Sequence, residues 1–544
     1  MNRTTRVAVM ALALCMSIVP AFAASISGKI VDASGSAMEG VTVSAQDADR
    51  EKYVSVFSQA DGSFTIDGLA DGTVKVRARL LGQLDQYQED VKVGTSDLSL
   101  AMSPATGEDL EMQRTGDSAF SMLKWDDPKD KENFKMMCTY CHQTGTAGFR
   151  TPEEPVDWDT MVTRMDGFGG LYKHTQETLV QRLIETYSEE SVGSWPAFEP
   201  PAAPTGAATQ AKITEWDMGD QDAAMIHDIE LGNDGLIYAI DMNQNGISTL
   251  DPETGDRQTY HLDPPYRGPH SIEMANNGDM WLTLCTSGEM AKFDVKTKEW
   301  TLASSAEAPR PRGGYPHTLR INPDDPEGLV WYTDAAMNAV FSMHPETMEV
   351  TKYQLLGKDQ AVGAGRGESR GITPYGIDFS CVDGSIWYTK LNGNRIGRID
   401  PSVEGGDIKE WNPPHRGPRR LHIDKQGIVW VPFFGSGTFG KFDPETEEWS
   451  LYDLPDALDQ IPYALNIAPN GDVWICGTGN DTISVFDPET EKLTEFRMPT
   501  RVTYTREIEF DADGNIWTSN SNAPIRHTER GRGSIIKLEP LSGD

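Results

Sequence analysis

Gly278-Asp279-Met280-Trp281 is a glycine turn followed by a short strand with an aromatic at its centre. The pattern recurs as Gly235-Leu-Ile-Tyr238, Gly328-Leu-Val-Trp331, Gly384-Ser-Ile-Trp387, Gly427-Ile-Val-Trp430, Gly471-Asp-Val-Trp474 and Gly514-Asn-Ile-Trp517, so there are seven copies. The glycines are 43 to 56 residues apart. A second marker follows each copy, in forms such as Asp251-Pro-Glu-Thr, Asp443-Pro-Glu-Thr and Asp487-Pro-Glu-Thr. Asp and Pro at those offsets are turn formers between outer strands. A period in the forties with four strands per unit predicts β-propeller blades. The seventh unit lacks an outer strand after Glu539-Pro-Leu-Ser, and Ile213-Thr-Glu-Trp216-Asp-Met218 precedes the first. An N-terminal strand that completes the last blade would close the ring and leave no open edge. The expectation is a mainly β chain with a seven-bladed propeller over residues 211–544.

The start of each innermost strand should face the propeller axis. Aligning the repeats on the apolar residue two places later yields His227, His270, His317, Tyr375, Arg419, Tyr463 and Arg506. No apolar residue stands at any of these positions. A ring built only to pack would be aliphatic, although propeller channels are wet and polar linings are common. Three His, two Tyr and two Arg suggest a funnel for a small anionic or oxygen-rich ligand.

The repeat resembles the streptogramin (virginiamycin B) lyase family. The resemblance is carried by Gly268-Pro269-His270-Ser271-Ile272 followed by Gly278-Asp-Met-Trp281-Leu-Thr283. It implies a propeller, and a reaction in which a histidine near an innermost strand acts as base while carboxylates hold Mg²⁺. On that resemblance His317 would be the base, and Asp334, ending Trp331-Tyr-Thr-Asp, a metal-binding acid. This chain has Tyr315 where the family has an acid two places before the His, and Asp where the following strand ends in Glu. In the second repeat the acid position is Leu284.

Upstream lies Cys138-Thr139-Tyr140-Cys141-His142. Two thiols at this spacing can each add to a vinyl group of one haem, and the adjacent imidazole then ligates the iron. The alternatives are a redox disulfide, which wants a βαβ context, and half a zinc site, which wants a second ligand pair. Residues 125–188 read as helical, with Trp158–Arg164 and Thr175–Tyr187 amphipathic and Leu179, Leu183, Ile184 and Tyr187 on one face. The stretch resembles a small class I-type cytochrome c domain, in Trp158, Val162, Arg164, Met165 and the closing Tyr187. The resemblance makes Met165 the sixth ligand of one covalent haem c. Met161 and His174 are the alternatives.

Residues 24–105 read as short strands. Gly28…Asp32…Gly35…Gly40-Val41-Thr42-Val43 and Asp61-Gly62-Ser63-Phe64…Gly68-Leu69…Gly72 resemble the carboxypeptidase regulatory-like domain, a transthyretin-like β-sandwich. Residues 1–23 read as a signal peptide, with Arg3 and Arg6 before Val7–Val19 and Ala21-Phe22-Ala23 at its end. Residues 106–124 and 189–210 read as linkers. Cys285, Cys381 and Cys476 read as small core residues of blade strands. The chain has 544 residues and a net charge of −35, which disfavours nucleic acid and anionic membrane surfaces as partners. No membrane span is expected. These readings lead to an exported, periplasmic c-type haem protein with a ligand-binding propeller and a periplasmic redox partner. A Mg²⁺-dependent lyase and a non-catalytic binding protein are the alternatives.

Overall fold

A computed structural model describes residues 24–47, 51–123, 125–150, 156–169, 173–218, 224–306, 314–357, 373–455, 460–521 and 533–541. The proposed signal peptide and the side chain of His174 lie outside the described residues. Among the described residues, six four-stranded antiparallel meanders follow one another between Ile226 and Arg497. In each, strand one pairs with two, two with three and three with four. Three strands of a seventh unit, Glu509–Phe510, Ile516–Asn520 and Gly533–Pro540, gain their fourth from Ala211–Met218. That pairing is antiparallel from Ala211 with Pro540 to Met218 with Gly533. The strand anticipated at Ile213–Met218 therefore closes the ring.

The repeated aromatics explain how the units adhere. Each belongs to a second strand and is at most 5% exposed. Trp281 packs with Leu319 and Tyr332 of the next unit, Trp331 with Ile377 and Tyr388, and Trp387 with Leu421 and Val431. Trp517 stacks on Trp216 at 5.6 Å and joins Ile229 and Ala239 of the first unit. The apolar cores thus lie between units, and the axis is left to polar side chains.

Five of the seven innermost strands share one irregularity. Register shifts fall between Ile226 and Ile229, Pro269 and Ser271, Pro316 and Leu319, Pro374 and Ile377, and Pro462 and Leu465. A bulge adds a residue and breaks the two-residue alternation. Two positions three apart can then face the same side.

The N-terminal unit contains Ala24–Val31, Thr42–Asp47, Lys52–Phe57, Ser63–Leu69, Thr73–Arg79, Gln86–Lys92 and Leu98–Ala101. Its core includes Ile26, Ile30, Val43, Val54, Phe64 and Val76. Lys52–Phe57 pairs antiparallel with Ala211–Met218. One eight-stranded sheet therefore runs from the last blade into the N-terminal unit. The strand that closes the propeller has no free edge.

The helical unit is larger than residues 125–188. The stretch read as a linker at 106–124 contains helices Glu108–Glu111 and Gly116–Ser121. Phe120 and Leu123 join the core of Phe134, Trp158, Val162, Leu179, Leu183 and Tyr187, and Phe120 stacks on Phe134 at 5.7 Å. Trp195, from the second linker, packs on that core too. Helix Lys173–Thr186 buries Leu179 and Leu183, but Ile184 is 47% exposed. One residue along a helix is a rotation of about 100°, which carries Ile184 off the face it was assigned to. Cys285 and Cys476 are buried as expected, whereas Cys381 is exposed in the turn after Pro374–Phe379. No helix among the described residues is long and apolar enough to cross a membrane.

Thr214 pairs with Val54 on one side and Lys537 on the other. Proline there removes a ladder donor from the middle of a sheet. Thr214→Pro should cost more than the roughly 0.5–3 kcal/mol of an ordinary substitution. The expected result is a lowered Tm together with faster proteolysis of residues 24–105. An unchanged Tm would contradict the shared-strand account.

Candidate functional site

The seven aligned residues form one ring. His227 and His270 have ring centroids 4.0 Å apart, His270 and His317 4.0 Å, and His317 and Tyr375 3.8 Å. The hydroxyls of Tyr375 and Tyr463, two blades apart, meet at 2.9 Å. The Arg419 guanidinium lies 3.4 Å from the Tyr463 ring centroid, and its Nη2 donates to the Tyr375 hydroxyl at 2.6 Å. Arg506 lies 5.9 Å from Tyr463.

The ring is not an open funnel. All seven residues are at most 4% exposed. The Cys138–His142 loop, at the end of helix Pro128–Cys138, roofs it. Arg506 Nη2 donates to the Cys141 carbonyl at 2.7 Å, and the Tyr504 hydroxyl donates to the Thr139 carbonyl. Tyr140 stacks on Phe434 at 6.0 Å and lies over Arg419 at 5.3 Å. Gln143 Nε2 donates to Asp481 Oδ1 at 2.7 Å and to the Thr503 carbonyl at 2.8 Å. Lys135 Nζ reaches the Gln460 carbonyl at 2.7 Å, and Glu132 pairs with Arg416 at 2.9 Å. Gly417, at φ +76°, has no room for a side chain: a Cβ there would lie 2.8 Å from Met136 Sδ. The sequence brought these two segments to notice separately, and the fold brings them into contact.

The electrostatics follow from burial. His227, His270 and His317 are held neutral, well below the usual imidazole range, because charging them would desolvate a cation; nearby arginines reinforce this. Arg419 is faced by Tyr463, Phe434, Tyr375 and Tyr140, which stabilise its charge through their ring faces. Even so, Nε and Nη1 of both Arg419 and Arg506, and Nδ1 of His270, are buried without a hydrogen-bond partner among the described residues.

The haem motif can be tested on its own atoms. Cys138 and Cys141 are not disulfide-bonded. Cys138 is half-buried, and burial pushes its thiol up, whereas Cys141 is exposed. His142 Nδ1 donates to the Gln143 carbonyl at 2.8 Å, which leaves Nε2 as the free ligating nitrogen. Burial lowers the His142 pKa and keeps the imidazole neutral. Phe149 stacks between His142, at 5.7 Å, and Trp158, at 6.3 Å. Trp158 begins the helix Trp158–Gly169 that carries Met161 and Met165, both half-buried and outside the packed core. Two free thiols, a neutral imidazole with a fixed tautomer and a thioether fit a c-type haem.

His317 and Asp334 each have local partners. His317 Nδ1 contacts Thr318 Oγ1 at 2.9 Å. Asp334 Oδ1 accepts backbone N–H bonds from Tyr315, Ala336 and Met337 at 2.9–3.0 Å. Asp241 binds the backbone N–H groups of Met225, Asn243 and Gln244 in the same way. Asn520 Oδ1 accepts from Tyr504 N at the equivalent place. These positions tie a strand entry to its neighbour, and an amide serves as well as an acid. Among the described residues no group of three His, Cys, Asp or Glu is placed to hold a metal ion.

A second layer was missed. It comprises Glu230, Glu273, Arg320, Asp378, His422, Asn466 and Glu509, each three residues after a ring position. Arg320 reaches Glu273, Glu507 and His422, on three other blades, at 3.2 Å each. Arg420 joins Asp228 and Glu507. The signal was available in the same alignment, one step further along. It went unread because regular alternation does not bring positions three apart to one face.

Residues 366–539 match the model of the virginiamycin B lyase family, and residues 25–103 that of the carboxypeptidase regulatory-like domain. The propeller is virginiamycin B lyase-like. A streptogramin B lyase structure superposes with TM-score 0.51 at 21% identity, covering 62% of this chain and 99% of that one. Virginiamycin B lyase from Staphylococcus aureus does so with TM-score 0.50 at 20% identity, covering 60% and 99%. At such identity the likeness concerns the fold. No match to a curated protein was found. His317 and Asp334 both precede the stretch that matches the family model.

Removing the Asp334 side chain should leave buried donors unpaired, at about 1–3 kcal/mol. Asp334→Asn should recover most of that loss in thermal unfolding, as Asn520 does in its own blade. If both variants destabilise equally, Asp334 needs its charge, and the structural account of it fails.

Proposed function

We propose that the protein is an exported c-type haem protein, in which a seven-bladed propeller seats the haem-bearing helical domain over a ligand-binding ring. The observation that carries this reading is the docking of Cys138–His142 onto the ring through Arg506, Tyr504, Arg419 and Gln143. Cys138 and Cys141 would hold one haem covalently. His142 would be its proximal ligand and Met165 the sixth, with Met161 and His174 as alternatives. Bound haem supplies one-electron chemistry. The surrounding residues keep His142 neutral and oriented and restrict water on the propeller side. The ring's unpartnered donors, Arg419 Nε and Nη1, Arg506 Nε and Nη1 and His270 Nδ1, suit a small oxyanion. A periplasmic redox partner would exchange electrons with the helical domain.

The second reading is a Mg²⁺-dependent streptogramin lyase-like activity, favoured by the family match over residues 366–539. It is the weaker reading because Asp334 has a backbone role and Tyr315 stands where the family has an acid.

Protein matured in a periplasm with haem-attachment machinery should carry one haem that survives denaturation. Cys138→Ala with Cys141→Ala should lose it. Haem-free wild-type protein from that host would end the haem reading. Linearisation of a streptogramin B by wild type, abolished in His317→Ala, would replace it with the lyase.

Small anions such as nitrite, sulfite and formate should raise the Tm of wild type, and Arg419→Ala with Arg506→Ala should lose that rise. No stabilisation of wild type would leave the ring as a docking seat only.

A further inference from the structure

The second layer carries an imbalance that the haem reading does not use. Asp228, Glu230, Glu273, Asp378, Glu507 and Glu509 gather along the axis, and they face Arg320, Arg420 and His422. Six acids thus meet two arginines and one histidine. Burial opposes ionisation of Glu507, but Arg420 and Arg320 outweigh it and hold its carboxyl far below the usual range. Burial also opposes charge on His422, and Asp378 at 3.3 Å outweighs it. Asp378 further accepts the backbone N–H groups of Phe379 and Ile423, both at 2.9 Å. These groups consume the available cations.

The remaining acids are left short. The Glu509 side chain makes no hydrogen bond or ion pair among the described residues, and it is half-buried beside Glu230 and Glu507. Glu273 has only Arg320, at 3.2 Å, which it shares with Glu507 and His422. Glu230 accepts the backbone N–H groups of Leu231 and Met274, at 2.9 and 3.2 Å. Burial raises Glu273 and Glu509 well above the usual carboxylate range and Glu230 to about 7. The three are half-buried, in contrast to the closed ring above them.

An unbroken polar path leads from this layer to the roof. Glu273 bonds Arg320, Arg320 bonds Glu507 and Glu507 bonds Arg420. Arg420 Nη2 bonds Asp228 at 2.8 Å, and Asp228 Oδ1 accepts from His227 Nδ1 at 2.8 Å. Arg420 Nη1 also donates to the Arg506 carbonyl at 3.1 Å, and the Arg506 side chain holds Cys141.

We propose that Glu509, Glu273 and Glu230 form a proton-loading site at the far mouth of the channel, and that this site takes up a proton when iron held at the opposite mouth is reduced. The first half stands on the second layer alone, whereas the second half rests on the haem reading. With haem held by Cys138, Cys141 and His142, an external one-electron donor would reduce the iron by one electron while one solvent proton would bind a carboxylate oxygen of the site. The net charge of the protein is then unchanged.

Two measurements test the halves separately. Infrared titration of the full chain should show a protonated carboxyl band, shifted in D₂O, that fades as pH rises through neutrality. Glu509→Gln with Glu273→Gln should diminish it, and adding Glu230→Gln should diminish it further. A wild type without the band between about pH 5 and 8, or a band untouched by these variants, overturns the loading site. A raised carboxyl pKa contributes stability at low pH that is lost as pH rises towards the folded value. The double variant should therefore gain Tm over wild type at pH 8 and little at pH 5, and the reverse order counts against the site. For the coupling, the haem midpoint potential of wild type should fall with pH towards ~59 mV per unit, the value for one proton per electron. The double variant should flatten it. A flat wild-type profile beside a positive infrared result overturns the coupling alone. Protein without haem defeats the haem reading and the coupling together, and the infrared titration still decides the loading site.

Discussion

The pairing of Ala211–Met218 with Gly533–Pro540 is the constraint on which the rest depends. A propeller has no continuous core. Its apolar cores lie between adjacent sheets, so every blade needs a neighbour on both sides. A ring left open at one junction would expose the Trp517 face and a row of unpaired backbone groups. Because the closing strand comes from upstream of the first blade, it also fixes where the preceding chain leaves the propeller. Its other edge is taken by Lys52–Phe57, so the N-terminal unit covers the closure.

Closure concentrates polar groups on one axis. Bulges in five of the innermost strands turn two residues per blade inward where regular alternation would turn one. The channel therefore has two layers of different chemistry. Neutral histidines, tyrosines and two arginines lie under the helical roof, and carboxylates lie at the other mouth. Burial acts on both in opposite senses: it strips protons from imidazoles and retains them on carboxyls. The arginines between the layers keep Glu507 ionised and connect Asp228 to the ring.

The lyase-like propeller carries two further units, the helical roof and the N-terminal β unit. The S. aureus lyase is covered over 99% of its length by the propeller, so the helical roof and the N-terminal unit are additions beyond that match. The contacts between roof and ring are specific hydrogen bonds and stacked aromatics, with Gly417 leaving room for Met136. Arg506 holds the roof through its bond to the Cys141 carbonyl, whereas Arg419 bonds Tyr375 and meets the roof through the face of Tyr140.

Local sequence determined much of this protein. Glycine–aromatic repeats, Asp-Pro turns, the closing strand at 213–218 and the ring positions are all set by residues near one another in the chain. So are the thiols and imidazole of Cys138–His142, since covalent spacing alone gives them their chemistry. The repeat even carried the second layer, but only a bulge makes positions three apart share a face, and a bulge depends on pairing with a neighbour. Tertiary structure alone decided that residues 106–124 belong to the helical core, because Phe120 has its partner in Phe134. It alone decided that Asp334 accepts three backbone N–H groups, that the N-terminal sheet continues the last blade and that the Cys138–His142 loop roofs the ring. Each of these is a contact between segments distant in sequence. It arises from burying surface and satisfying buried donors across the whole fold, and local pattern does not encode that.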